Sequence, residues 1–449
     1  MTECNEMTQK GQHTAAPKLR FPEFRNAPGW TSKELRSIAN PVSERASDED
    51  ENNILTLSAE HGLVLQSEYF GKQVAGTNAE RYYKIQRDDF VYNDRTTKAS
   101  EYGTIKRLTK YPHGIVSLIY KCFRFQADET PIFWEYYFES GAHDWQLRNL
   151  ANEGARAGRF NVTIERFLST RVCSPPPISG EQQKIAECLS RLDELIEAES
   201  RKLDALKDHK KGLMQHLFPR EGETRPRLRF PEFRSSPDWT TRRMNEIYAF
   251  LANNSFSRDR LNYVSGSIKN IHYGEIHKHY RLLFDVTREV VPYIDDDALT
   301  SERQPVFCAE GDMVFADASE DLEDIGKCIE IVNLNSERVV AGLHTILARP
   351  KTRSAFARGF SGYLFSSKRI RAQIQKESQG TKVLGISAKR LANIELCFPV
   401  HVAEQERIAD CLSSLDDLIA AQSERLEILR AHKRGLMQQL FPNPSDLES

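Results

Sequence analysis

No apolar run in the 449 residues approaches the roughly 20 that a membrane-crossing helix needs, which removes a membrane from the expected partners. The opening MTECNEMTQKGQHTAAP is polar and has no apolar stretch of the kind a secretion signal carries, so a cytoplasmic location is expected. The eight cysteines fall in no CxxC or metal-ligand spacing, which argues against a zinc site or a disulfide framework. Cys188 and Cys411 sit beside leucines and are expected to be small buried hydrophobes. No GxxxxGK[ST] loop is present, so ATP hydrolysis by this chain is not expected. An excess of one charge is missing too: 62 Lys and Arg against 64 Asp and Glu leave a net charge of −2. Any polyanion binding must therefore come from local distribution. Residues 81–124 hold ten Lys and Arg against four acids, and 351–376 hold seven and no acid, one such stretch in each half.

What the chain has instead is duplication. Residues 181–219 (EQQKIAECLSRLDELIEAESRKLDALKDHKKGLMQHLFP) return at 404–442 (EQERIADCLSSLDDLIAAQSERLEILRAHKRGLMQQLFP), with 24 of 39 positions identical and no gap. A second block, LRFPEFR followed by Trp-Thr, runs from Leu19 to Thr31 and recurs from Leu228 to Thr240. A repeat this long marks two half-molecules rather than a solenoid. The first block recurs after 209 residues and the other after 223, so the second half is about 14 residues longer.

The 39-residue blocks have helical periodicity. Ile185, Leu189, Leu192, Ile196, Leu203 and Leu206 form one seam in steps of four and three, and Ile408, Leu412, Leu415, Ile419, Leu426 and Leu429 form the other. Each seam holds a polar residue at mid-length, Glu199 or Gln422, and a lysine further on, Lys210 or Lys433. Gly212 and Gly435 are expected to interrupt each helix near its end, before Phe-Pro closes it. So narrow a seam needs a partner helix, and the other copy, related by a two-fold, would run antiparallel to it.

The bodies before each helix mix short strands and helices. Strands are predicted over 114–125, 311–315 and 339–348, and helices over 132–140 and 355–377. The expected fold is α+β, with two mixed α/β globular bodies separated by a long antiparallel two-helix coiled coil in a pseudo-two-fold internal repeat. Its parts are a disordered tail (1–16), a first body (17–178), a first helix (179–219), a linker (220–226), a second body (227–401), a second helix (402–442) and a tail (443–449).

With these features the chain resembles the specificity subunits of type I restriction-modification systems. The resemblance runs from Lys18 to Pro442 and rests on the paired helices, the paired LRFPEFR blocks and several body motifs. These are DFVYND (89–94), GRFNVT (158–163), IHYGEIH (271–277), GDMVFADASED (311–321), GLHTI (342–346) and GIS…LANIELCFP (385–399). The resemblance implies that each body is a target recognition domain reading one half of a split, asymmetric site in double-stranded DNA. The coiled coil would set the distance between the halves and dock two modification (methyltransferase) subunits. Restriction (translocase and nuclease) subunits would join them. The chain itself would be non-catalytic and hold no cofactor or metal, with S-adenosylmethionine, ATP and Mg²⁺ on the partners. Consistent with this, the only run comparable to an adenine methyltransferase tetrapeptide, SPPP at 174–177, lacks both the amide and the aromatic residue.

Candidate DNA contacts combine amide, hydroxyl, aromatic and cationic groups. In the first body they are Tyr92, Asn93, Arg95, Thr96, Lys98 and Ser100, and in the second His272, Tyr273, His277 and Lys278. Arg353, Arg358, Lys368, Arg369 and Arg371 are candidates for phosphate contact. The acidic group from Asp317 to Asp324 is expected to be a solvated or structural loop, and His209 and His432 to be exposed near the helix ends. The alternative reading is a coiled-coil scaffold protein with no DNA role.

Overall fold

Two helices of 37 and 39 residues, Glu181–Leu217 and Val402–Leu440, occupy the copied blocks. The computed structural model describes residues 14–47, 53–71, 81–96, 100–152, 162–295, 305–352 and 354–442. The chain divides into two compact units, Met1–Ser200 with Arg425–Ser449, and Arg201–Glu424. Each unit thus takes the first part of one helix and the last part of the other. Gly212 and Gly435 lie inside their helices and do not interrupt them, because each helix runs on for more than a turn to Leu217 or Leu440. All twelve seam residues named above are buried or half-buried, and so are Glu199 and Gln422. Cys188 and Cys411 are half-buried rather than buried.

In unit 1 the helix segments are antiparallel. Lys433 Nζ reaches Asp193 at 2.9 Å and Arg425 reaches Glu199 at 2.9 Å, so numbers rise along one helix as they fall along the other. Ile185 and Leu189 share a core with Met437 and Leu440. Among the described residues this unit holds three sheets: Thr14–Ala15, Trp30–Glu34 and Arg171–Ser174; Ala39–Pro41, Lys121–Phe125, Phe90–Asn93 and Thr104–Arg107; and Gly62–Leu65, Ile54–Ser58, His113–Val116 and Tyr83–Gln86. Helix Pro131–Glu139 buries Phe133, Trp134, Tyr136, Tyr137 and Phe138, too wide an arc for an amphipathic stripe. These rings pack with Trp30, Phe123, Phe167 and Phe441. Each fully buried large side chain of this kind contributes roughly 1.5–3 kcal/mol.

Unit 2 repeats the plan. Ile408 and Leu412 at the start of the second helix share a core with Leu217 and Phe218 at the end of the first. Lys210 pairs with Asp416. A five-stranded sheet orders Tyr248–Leu251, Thr345–Pro350, Met313–Ala316, Cys328–Asn333 and Leu283–Asp285. A four-stranded sheet orders Leu261–Asn262, Tyr293–Ile294, Lys269–Ile271 and Val339–Ala341. The pairs Thr240–Arg243 with Glu395–Phe398 and Ala318–Ser319 with Leu384–Gly385 complete the sheets.

Several predicted elements break in two. The 114–125 run holds strands His113–Val116 and Lys121–Phe125 around a turn, and 339–348 holds Val339–Ala341 and the start of Thr345–Pro350 around residues 342–344. The 355–377 run becomes helices Phe360–Ser366 and Lys368–Glu377, separated by Ser367 with extended backbone (ψ 146°).

Candidate nucleic-acid interface

The same polar locks hold both units. Arg20 binds Glu181, the first residue of the first helix, through two bonds of 2.7 Å, and Arg229 binds Glu404 in the same way. Arg20 also donates to the carbonyls of Ala27 and Pro28, and Arg229 to those of Ser236 and Pro237. The Leu19 N–H donates to Gln439 O in unit 1, and the Leu228 N–H to His216 O in unit 2. The duplicated LRFPEFR block thus ties the start of one long helix to the end of the other within each unit. A second lock recurs where helix meets body. Tyr136 Oη donates to Asp193 at 2.7 Å with Lys433 over its ring, and Tyr363 Oη donates to Asp416 at 2.7 Å with Lys210 over its ring.

A third lock lies inside the bodies, and the long-range repeat alone did not point to it. Asp89, fully buried, takes two bonds from Arg124 (2.6 and 2.8 Å) and one from the Gln86 N–H at 2.8 Å. Asp312, 1% exposed, takes two from Arg349 (2.8 and 2.7 Å) and one from the Ala309 N–H at 2.8 Å. The residue before each aspartate has positive φ, 72° at Asp88 and 91° at Gly311. The signal was present: DFVYND and DMVFAD share D-x-V-x-x-D, 223 residues apart, the same offset as the helices. The two bodies are therefore built on one core. Between these locks and the LRFPEFR offset of 209, the extra length of the second half falls ahead of Asp312.

At the end of this motif the two units part. In unit 1 Asp94 is buried, pairs with Lys121 at 2.6 Å and accepts from the Val162 N–H at 3.2 Å. In unit 2 Asp317 instead faces His344, with Oδ1 at 3.3 Å from Nδ1. Four motif segments converge there. The Ile386 N–H donates to Asp317 O, and Ala318–Ser319 pairs with Leu384–Gly385. His277 Nε2 lies 3.0 Å from Ala318 O, and the Tyr273 ring sits 5.3 Å from that of His344. The result is a surface group of imidazole, phenol and carboxylate beside the exposed tip 380–383. Gly380 (φ 125°) has to be glycine, because a Cβ there would lie 2.0 Å from Val383 O.

The predicted contact residues separate into three sets. Asn93, Thr96, Ser100, Tyr273 and His277 are half-buried, and Arg95, Lys278, Arg358 and Lys368 are exposed. Arg358 pairs with Glu310 at 2.7 Å, and Ser100 donates to Gly103 O. Lys98 and Arg353 lie outside the described residues. Tyr92 and His272 are corrected, because both are buried, while Arg369 and Arg371 are half-buried. Tyr92 is fully buried, stacked on Phe167 at 4.7 Å and donating to Tyr102 O at 3.0 Å, and burial raises its phenol pKa far above the ordinary value. His272, 7% exposed, uses Nδ1 to cap the helix Tyr273–Lys278 through the Gly274 N–H, and burial lowers its pKa. Arg369 donates to Glu223 O at 2.8 Å. Arg371 donates to the carbonyls of Glu323 and Ile325, and burial holds its pKa below the usual guanidinium range.

The basic stretches are partly consumed in the same way. Within 81–124, Arg107 pairs with Asp88 and Glu135, Lys121 with Asp94 and Arg124 with Asp89. Among the described residues no cluster of three or more His, Cys, Asp or Glu has metal-binding geometry, and no helix is long and apolar enough to cross a membrane.

Residues 237–430 match the family model of the type I restriction modification DNA specificity domain. The type I restriction enzyme MjaVIII specificity subunit of Methanocaldococcus jannaschii is 26% identical over 285 residues, 62% of this chain. The match spans 63% of that relative, just under two thirds of its length. The S subunit of a type I restriction-modification system from M. genitalium superposes with a TM-score of 0.54 at 14% identity, covering 95% of this chain and 99% of its own. A chain from a structure describing complex assembly and conformational transition of a type I R-M system gives 0.55 at 17% identity, with 92% and 98% covered. These two likenesses establish a shared fold.

Proposed function

We propose that this chain belongs to the type I restriction-modification specificity-subunit family, as the match at 237–430 and the 26% identical relative support, and is the non-catalytic DNA reader of such a system. Each body reads one half of a bipartite, asymmetric site. Base identity is read at groove edges, while phosphate contacts fix register. The two long helices form an antiparallel coiled coil that holds the bodies at a set distance, so spacing between the words follows from helix geometry. The same helices dock two modification subunits, which carry S-adenosylmethionine and flip the target base out of the duplex. Restriction subunits with ATP and Mg²⁺ complete a cytoplasmic assembly.

One observation carries this reading: identical locks in the two units present unlike surfaces. The Asp89 and Asp312 cores match, but Asp94 is sealed inside and Asp317 faces a half-exposed imidazole. A scaffold with no DNA role gives no reason to keep the frame and vary what it displays. Electrophoretic binding of the chain with its modification subunits to a randomised duplex pool tests this. Enrichment of one split sequence is expected, and retention indifferent to sequence would favour the scaffold.

A further inference from the structure

We infer that His344 is a base-reading residue of the second body, accepting a hydrogen bond from an exocyclic amino group, adenine N6 or cytosine N4, in the major groove. The inference rests on the DNA-reading function proposed above. His344 has a backbone φ of 56°, a left-handed conformation uncommon outside glycine, which histidine adopts more readily than most side chains do. Such outliers concentrate where a ligand is clamped. The strained residue is presented outward, with its side chain 51% exposed.

The ring is also held. Its Nδ1 lies 3.3 Å from Asp317 Oδ1, and Tyr273 meets it edge-on at 5.3 Å and 71°. The loop beneath is braced by Asn253, whose Nδ2 donates to Gly342 O at 3.0 Å and to Thr345 O at 2.7 Å. Gly342 packs so closely that a Cβ would lie 2.6 Å from Asn270 Nδ2 and 2.7 Å from Ile271 O.

Chemistry then selects the ligand. A carboxylate oxygen 3.3 Å from Nδ1 accepts its hydrogen, so in the neutral form of the ring Nε2 keeps its lone pair. In the major groove only adenine and cytosine offer an amino donor to such an acceptor. The matching aspartate of unit 1 is buried against Lys121, which confines the assignment to one word.

His344→Gly tests it, because glycine adopts this backbone freely and the fold is kept while the ring is lost. The full chain, assembled with its modification subunits, is assayed for methylation of a duplex panel in which every position of both words is varied singly, with thermal melts run alongside. Wild type is expected to favour A or C at one position of one word. His344→Gly should lose roughly tenfold selectivity there and nowhere else, and Asp317→Asn should lose part of it. Unchanged selectivity in His344→Gly overturns the assignment and leaves the DNA-reading function standing, as does a uniform loss at every position or a collapsed melt. A wild-type complex with no sequence preference removes both.

Discussion

Arg20 and Arg229 are the residues through which the copied LRFPEFR blocks act, each gripping a buried glutamate in the first turn of a long helix while bracing two turn carbonyls. Removing one partner of such a pair strands the other charge, at a cost of about 3–5 kcal/mol. Arg229→Met should lower the unfolding free energy by that amount in denaturant titration, and Arg229→Met with Glu404→Gln should regain a substantial part. Equal stability of Arg229→Met and wild type would refute the lock. A second prediction concerns His143, 1% exposed, whose pKa burial depresses from 6.5 to about 3. The unfolded chain binds this proton more readily, so stability present at neutral pH is lost as pH falls from about 6.5 toward 3, by at most about 1.4 kcal/mol per unit. His143→Gln should flatten the stability profile across that window, and parallel profiles would contradict the assignment. At this scale the sequence was partly legible. Copied residues pointed to copied jobs, but for Tyr92 the sequence left both a DNA contact and a buried ring open. Phe90, Val91 and Tyr92 are all buried, so the alternation that marks an exposed strand face is absent there.

The long helices were legible because a seam repeated over four heptads, twice, has few alternative structures. Their continuity through Gly212 and Gly435 was not, since a glycine near a helix end is ambiguous between a cap and an interior position. A Cβ at either glycine would meet nothing within 4 Å. Gly212→Ala and Gly435→Ala should therefore each stabilise by about 0.5–1 kcal/mol, read from denaturant midpoints. Destabilisation would mean that the glycines serve a close contact. Strands were located but run together, because short turns such as 117–120 and 342–344 carry apolar residues and, apart from the single Gly342, neither Pro nor Gly. For the same reason the sequence of the His344 turn, GLHTI, does not mark its histidine as a contact. Its left-handed backbone and its aspartate partner, 27 residues away, exist only in the folded chain.

For the whole molecule the duplication was legible in the copied blocks, while the shared core of the two bodies was hidden by divergence around a six-residue pattern. The account holds that a common frame carries two independent readers. Exchanging residues 227–400 for the body of a relative should therefore change one word of the site and leave the other, because the Arg20 and Asp89 locks of unit 1 are untouched. A four-residue insertion in both helices should add about 6 Å of rod, and with it roughly one to two base pairs of spacer at 3.4 Å per step. The most direct test is to map methylated adenines genome-wide in cells carrying the native chain, the exchanged body, or no copy. The account predicts a split asymmetric motif that vanishes without the chain and changes in one half only on exchange. A motif that survives deletion, or one that changes in both halves, would contradict it.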